Sequence, residues 1–196
     1  MESFMAKKAI KKFKTAFSEL LSKSPYDELT IVQVADAAKV TRQSFYYHYE
    51  SMDDFVFDII SDGLDDAINK ERRKNLSLET VFVRILNACR SNKNEALNLY
   101  NSSLRDRLVS FSKDYYAKIV DEMIDGLLEK TPRDLTDGDR KFIVDQYSNG
   151  LTYSTLNYIA DGMREKPADV GKATTKFLGR TLNDILTDFA ENPFYK

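Results

Sequence analysis

The two residue types that build most catalytic and metal centres are almost missing from this sequence, which has one cysteine, Cys89, and one histidine, His48. A single cysteine closes no intrachain disulfide, which agrees with a reducing cytoplasm as the expected location. A single histidine argues against a metal cluster of His and Cys ligands, and against a Ser–His or Cys–His catalytic pair. Tryptophan is absent, and the seven glycines and four prolines are few for 196 residues. That scarcity suits long helices with short connections better than a turn-rich β fold. Apolar runs span only a few residues, so no transmembrane segment is expected. The start, Met1 to Lys8, has neither a long apolar stretch nor a small-residue cleavage site, so no secretory leader is expected. With no nucleophile–base pair, phosphate-binding glycine loop or metal constellation, the chain is expected to be neither an enzyme nor a holder of a cofactor or metal.

What is present is helical spacing and an uneven charge. Residues 1–50 hold eight Lys/Arg against six Asp/Glu, and residues 51–196 hold 21 against 25. A mildly basic head on an acidic body is compatible with DNA binding at one end. In the first segment Ala6, Ala9, Ile10, Phe13, Ala16, Phe17, Leu20 and Leu21 recur at spacings of three and four. They form an apolar stripe with the lysines mostly off it. Such a helix could lie on a membrane surface, but its continuity with the following pattern favours a domain helix. Ser24-Pro25-Tyr26-Asp27 breaks it.

Thr30-Ile31-Val32-Gln33 then has the form of a capping box. Lys39-Val40-Thr41 supplies a turn and a new N-cap, Arg42 to about Tyr49 forms a short helix, and Ser51-Met52-Asp53-Asp54 opens a longer one. Further helices are expected near 52–73, 78–91, 94–102, 105–130, 137–163 and 168–190. The fold class is therefore all-α, with about nine helices. The expected division is a DNA-binding unit over 1–50 and a ligand-binding and dimerisation unit over 51–196.

Two short helices joined by a tight turn at 30–49 match the geometry of a helix-turn-helix. Ile31, Val34, Ala35, Val40 and Phe45 fall where the two helices must pack, and Ala35 or Ala38 is small enough for close approach. The second helix then offers Arg42, Gln43, Ser44, Tyr46, Tyr47 and His48 toward a major groove. Arg and Gln suit bidentate contacts with guanine and adenine, while hydroxyl and ring N–H groups can hold phosphates, helped by the helix starts at Thr30 and Thr41.

The run from Thr30 to Tyr49, above all Phe45-Tyr46-Tyr47-His48-Tyr49, resembles the signature of TetR-family regulators. The preceding amphipathic helix and the following Ser-x-Asp-Asp-Phe start match as well, so the resemblance covers roughly residues 6–70. A second echo runs through Gly150-Leu151 and Leu156 to Met163, then Pro167, with Tyr158 where a Trp is common. The resemblance implies a homodimer whose last two helices form a four-helix bundle, and a ligand cavity in the body. It further implies a regulator, with repression the expected role, bound to a pseudo-palindromic operator and released by a small-molecule effector. The DNA-binding residues so implied are Thr30, Thr41, Arg42, Gln43, Ser44, Tyr46, Tyr47 and His48, with Lys7 on the first helix.

Several tyrosines among apolar neighbours suit a pocket with a few placed hydroxyls, with Tyr100, Tyr147 and Tyr153 as candidates. Gly150, Tyr158, Phe177 and Ile185 are the candidate dimer contacts, on two successive apolar stripes at the chain's end. The sequence departs from the family pattern at Lys39, where the turn usually carries glycine, and at Glu50 and Met52, where lysine is common. Met52 cannot grip a phosphate and Glu50 repels one. A co-activator or adaptor that works through a protein partner is therefore the alternative to a direct DNA reader.

Overall fold

The structure, a computed structural model, describes residues 2–68, 77–177 and 182–195. Among these residues there are ten α-helices, one 3-10 turn and no strand, so the fold is all-α as the apolar spacing predicts. The first four helices form a head: α1 (Glu2–Leu21), α2 (Ile31–Ala38), α3 (Arg42–Tyr46) and the start of α4 (Met52–Ile68). The body continues through α5 (Leu78–Ser91), α6 (Lys93–Tyr100), α7 (Arg105–Lys130), α8 (Asp137–Ala160), α9 (Pro167–Phe177) and α10 (Leu182–Glu191). The helix expected over 52–73 is described as far as Ile68, and 69–73 lie outside the described residues. The stretch expected as one helix over 168–190 is described as α9 and α10, with 178–181 outside the described residues.

Local chemistry sets most of the helix ends. The capping box at α2 is complete: the Thr30 Oγ1 accepts from the Gln33 N–H at 3.3 Å, and the Thr30 N–H donates to Gln33 Oε1 at 2.7 Å. Thr41 caps α3 by accepting the Ser44 N–H at 3.2 Å, and Ser51 accepts the Asp54 N–H at 3.1 Å at the start of α4. Helix α8 ends at Ala160 rather than at 163. Gly162 (φ 73°) and Met163 (φ 54°) both turn left-handed there, and the Met163 N–H reaches back to the Tyr158 carbonyl at 2.9 Å.

Two apolar clusters organise the chain. The body cluster packs Phe82, Ile85 and Leu86 of α5 against Tyr116, Ile119, Val120 and Ile124 of α7 and Ile143, Tyr147 and Leu151 of α8. Leu182 and Leu186 of α10 close it. The head cluster holds Phe13 and Phe17 of α1, Val34 and Ala35 of α2, Phe45 of α3, and Phe55 and Val56 of α4. It also takes in Leu99, Leu104 and Leu108, so the head's core is completed by side chains from α6, the α6–α7 turn and α7.

The chain's end is pinned separately. Asp139, wholly buried at the start of α8, accepts the N–H groups of Phe194 and Tyr195 at 3.1 and 3.0 Å and the Thr136 hydroxyl at 2.8 Å. Burial would raise its pKa, but these hydrogen bonds outweigh burial and hold the carboxyl below the usual range. Gly138 makes room for the same contact, because a Cβ there would stand 2.5 Å from the Cβ of Tyr195.

Phe45 is fully buried, and its ring meets Phe13 and Phe55 edge-on at centroid distances of 5.4 and 5.2 Å. Truncation in such a site removes both transfer free energy and packing, so Phe45→Ala is expected to destabilise the protein by about 3–5 kcal/mol. Urea denaturation followed by circular dichroism measures this, and Phe45→Leu should retain most of the lost stability.

Candidate nucleic-acid interface

Helix α3 has only five residues, and Phe45 is the one that is buried. Helical geometry then leaves Arg42, Gln43 and Tyr46 on the open side, with Tyr47 just beyond at the cap. Tyr46 is 58% exposed and Tyr47 80% exposed, unusual values for large aromatic rings. Ser44 and His48 are half-buried, and the His48 ring lies edge-on to Tyr47 at 5.0 Å. Thr30 and Thr41 are exposed, but their hydroxyls already serve as caps. Lys7, Lys8, Lys11 and Lys12 are exposed on α1. The head thus gathers Arg42, Gln43, Tyr46 and Tyr47 on one outward surface, while Lys7 lies on a separate helix.

The turn before α3 depends on Lys39, which adopts the left-handed conformation (φ 54°, ψ 46°). The Val40 N–H reaches the Ala35 carbonyl at 3.0 Å and the Lys39 N–H the Asp36 carbonyl at 3.1 Å, the two bonds of a Schellman motif. Met52, half-buried, packs against the head cluster, while Glu50 is exposed. Neither supplies a cation beside α3.

The head is fastened within itself and to the body. Lys14 bridges Asp58 and Asp62 at 2.8 and 2.5 Å, and Tyr49 donates to Asp58 at 2.7 Å, which ties α1 and the segment after α3 to α4. Burial would lower the Lys14 pKa, but the two carboxylates outweigh it and hold the ammonium charged. Asn98 on α6 donates to the Leu21 carbonyl at 2.6 Å and to the Ser24 carbonyl at 3.2 Å. Those contacts close the open C-terminal end of α1. Ser18 donates to Glu95 at 3.1 Å, the Ser103 hydroxyl donates to Asp27 at 2.6 Å, and Asp53 accepts from both Tyr26 and Arg107. No sequence motif announces Asn98, Glu95 or Ser103, which reach the head only through the fold.

Inside the body an apolar cavity of about 110 Å³ lies among α4, α5, α6, α7 and α8. A second space of about 260 Å³ adjoins it and reaches Phe17 and Leu21 of α1; the two share Ile60, Leu64, Cys89, Ala96 and Leu99. Tyr100 lines the first cavity. Tyr147 is buried in the body cluster away from the cavity wall, and Tyr153 stands 70% exposed on the outer side of α8. Among the candidate dimer residues, Gly150 is half-buried on α8, and Ile185 is half-buried against the body cluster. Tyr158 is buried and donates its hydroxyl to the Glu165 carbonyl at 3.1 Å within the same chain. Phe177 ends α9, and its side chain lies outside the described residues. Among the described residues no helix is long and apolar enough to cross a membrane.

An all-helical chain with an exposed aromatic α3 behind a capped α2 and a tight turn is a helix-turn-helix protein on a helical body. Comparison with known proteins places it further. Residues 16–59 match the family described as bacterial regulatory proteins, tetR family. Residues 76–180 match the C-terminal region of transcriptional regulators in the same group, more than half of the chain. The chain belongs to the TetR family of transcription regulators. Among solved structures it is similar to the dihydroxyacetone kinase operon activator DhaS, with a TM-score of 0.68 and 16% identity over 87% of this chain and 93% of that one. That likeness is one of fold. No curated protein matches.

A non-glycine residue held left-handed costs about 1 kcal/mol or somewhat more. Lys39→Gly is therefore expected to raise the urea midpoint, by an amount reduced by the extra freedom glycine gives the unfolded chain. Lys39→Ala should bring no such gain.

Proposed function

We propose that the chain is a homodimeric, effector-responsive regulator that reads a pseudo-palindromic operator with α3, one copy per subunit entering successive major grooves. The observation that carries this reading is the burial of Phe45, which leaves Arg42, Gln43, Tyr46 and Tyr47 outward on one surface. Arg42 and Gln43 have the donor and acceptor geometry for base edges. Tyr46, Tyr47 and His48, with Ser44, the helix starts capped by Thr30 and Thr41, and Lys7 on α1, supply phosphate and sugar contacts. Gly150, Phe177, Ile185 and Tyr158 lie on or beside the helices assigned to dimerisation, with α8, α9 and α10 carrying the contact. Repression is the simplest output, since a dimer seated on an operator obstructs whatever must bind there.

The body cavity, with Tyr100 on its wall, is the effector site in this reading. Helix α6 supports a link between the two functions: Ala96, Leu99 and Tyr100 line the cavity, while Glu95 and Asn98 hold α1. An effector that favours one position of α6 over another would shift the spacing of the two α3 helices by its differential affinity for the two states.

A second reading has one specific observation behind it. Glu50 is exposed beside α3 and Met52 packs half-buried against the head cluster, so neither position offers a cation to a phosphate. In that reading the chain is a co-activator or adaptor that acts mainly through a protein partner. DhaS, the protein of similar fold, is itself described as an operon activator.

Fluorescence anisotropy with DNA from the gene's own upstream region, across a salt series, separates the two. Wild type is expected to prefer that DNA over a scrambled duplex at low salt. The double variant Glu50→Lys/Met52→Lys should bind more tightly, with a salt dependence steeper by up to about four units of log–log slope, one for each additional phosphate neutralised by the four new lysines of the dimer. Preference shown only by the variant would favour the adaptor. No sequence preference in either protein would refute the DNA-reading proposal.

A further inference from the structure

The composition of the body cavity's wall bears on what can enter it. Among the described lining residues there is no Asp, Glu, Lys, Arg or His. The polar groups present are hydroxyls and one thiol, and three of the hydroxyl protons are committed. Thr155 donates to the Leu151 carbonyl at 2.9 Å, so the 2.6 Å contact between Tyr116 and Thr155 has the Tyr116 phenol as donor. Tyr115 donates to Asp65 at 2.9 Å, a carboxylate that does not line the cavity. Arg105 is exposed; it donates to the Tyr100 hydroxyl at 2.8 Å and lies 4.7 Å from the centre of that ring. Asp65 and Arg105 are thus engaged from behind the wall, and Glu95, which lines the adjoining space but not this cavity, is held by the Ser18 hydroxyl at 3.1 Å. Burial pushes the Cys89 thiol up to about 12, which keeps it neutral.

We propose that this cavity holds an uncharged, predominantly hydrocarbon molecule of about single-ring size, and that it excludes carboxylates and ammonium ions. Size follows from the volume: an apolar protein cavity of about 150 Å³ stays dry and takes up benzene, and this one is about 110 Å³. Exclusion of charge follows from desolvation. An anion would meet no cation in the wall, and a cation no carboxylate, so either would be buried unpaired at a cost of several kcal/mol. One hydrogen-bond donor on the ligand is tolerated, because the Tyr116 oxygen keeps an unused lone pair after donating to Thr155. The proposal rests on the reading of this cavity as the effector site, but the binding it describes needs no DNA.

Cys89 is the chain's single cysteine and lines the cavity, so it reports on occupancy without any substitution. Four probes of similar size are compared on the full chain at mildly alkaline pH: toluene, p-cresol, 4-methylbenzoate and 4-methylbenzylamine. Toluene and p-cresol are expected to slow the reaction of Cys89 with methyl methanethiosulfonate and to raise Tm. The two charged analogues should bind at least about a hundredfold more weakly, the ratio that a cost of roughly 3 kcal/mol produces. Protection by 4-methylbenzoate or 4-methylbenzylamine at concentrations similar to toluene would overturn the proposal. So would the absence of protection by both neutral probes. Because DNA takes no part, failure here leaves the operator experiment unaffected, and failure there leaves this one unaffected.

Discussion

Phe45 has nowhere to go but inward, and most of the head follows from that constraint. Its ring is held edge-on by Phe13 of α1 and Phe55 of α4, with Tyr49 at 5.5 Å and Phe17 joined through Phe55. Each such aromatic pair contributes about 0.5–1.5 kcal/mol beyond the area it buries. More important than the sum is the direction it imposes. A helix as short as α3 has little intrinsic stability of its own. It is a helix because Thr41 caps it, Lys39 turns the chain into it, and Phe45 anchors it. The outward placement of Tyr46 and Tyr47 is the geometric complement of that anchor.

The same cluster binds the head to the body. Leu99, Leu104 and Leu108 complete it from α6, the α6–α7 turn and α7, and polar contacts from Asn98, Glu95, Ser103 and Arg107 surround the seam. The head is therefore not a bead on a linker, and a shift of α6 has to be felt by α1. Helix α6 has one face in the cavity and another against the head, an arrangement by which a small occupant could bias a large surface. The coupling would then depend on side-chain packing between two bistable arrangements rather than on flexibility.

How much of this was legible in the sequence depends on the reach of each interaction. The capping box at Thr30 and Gln33 spans three residues and was readable as a pattern, and so was the Thr41 cap. The left-handed turn at Lys39 was visible because the resembled family carries glycine there. Asp139 was not readable, since its partners lie 55 and 56 residues away at Phe194 and Tyr195. Asn98 and Leu21 are separated by 77 residues, and an asparagine in a helix gives no sign of capping another. The tyrosines illustrate the limit best. Tyr100, Tyr147 and Tyr153 all sit in apolar-patterned helices, yet one lines the cavity, one is packed in the core and one faces outward. Composition cannot separate these fates, because they depend on which helix lies opposite.

The central claim is that the surface opposite Phe45 is the one that meets DNA, and site-specific photo-crosslinking addresses it most directly. A photoreactive phenylalanine derivative is placed in turn at Tyr47 on the head and at Tyr153 on α8, both exposed aromatic positions, and each protein is irradiated with upstream DNA. The account predicts covalent protein–DNA product from position 47, competed away by unlabelled specific duplex, and none from position 153. Equal crosslinking from both positions, or product only from position 153, would contradict it.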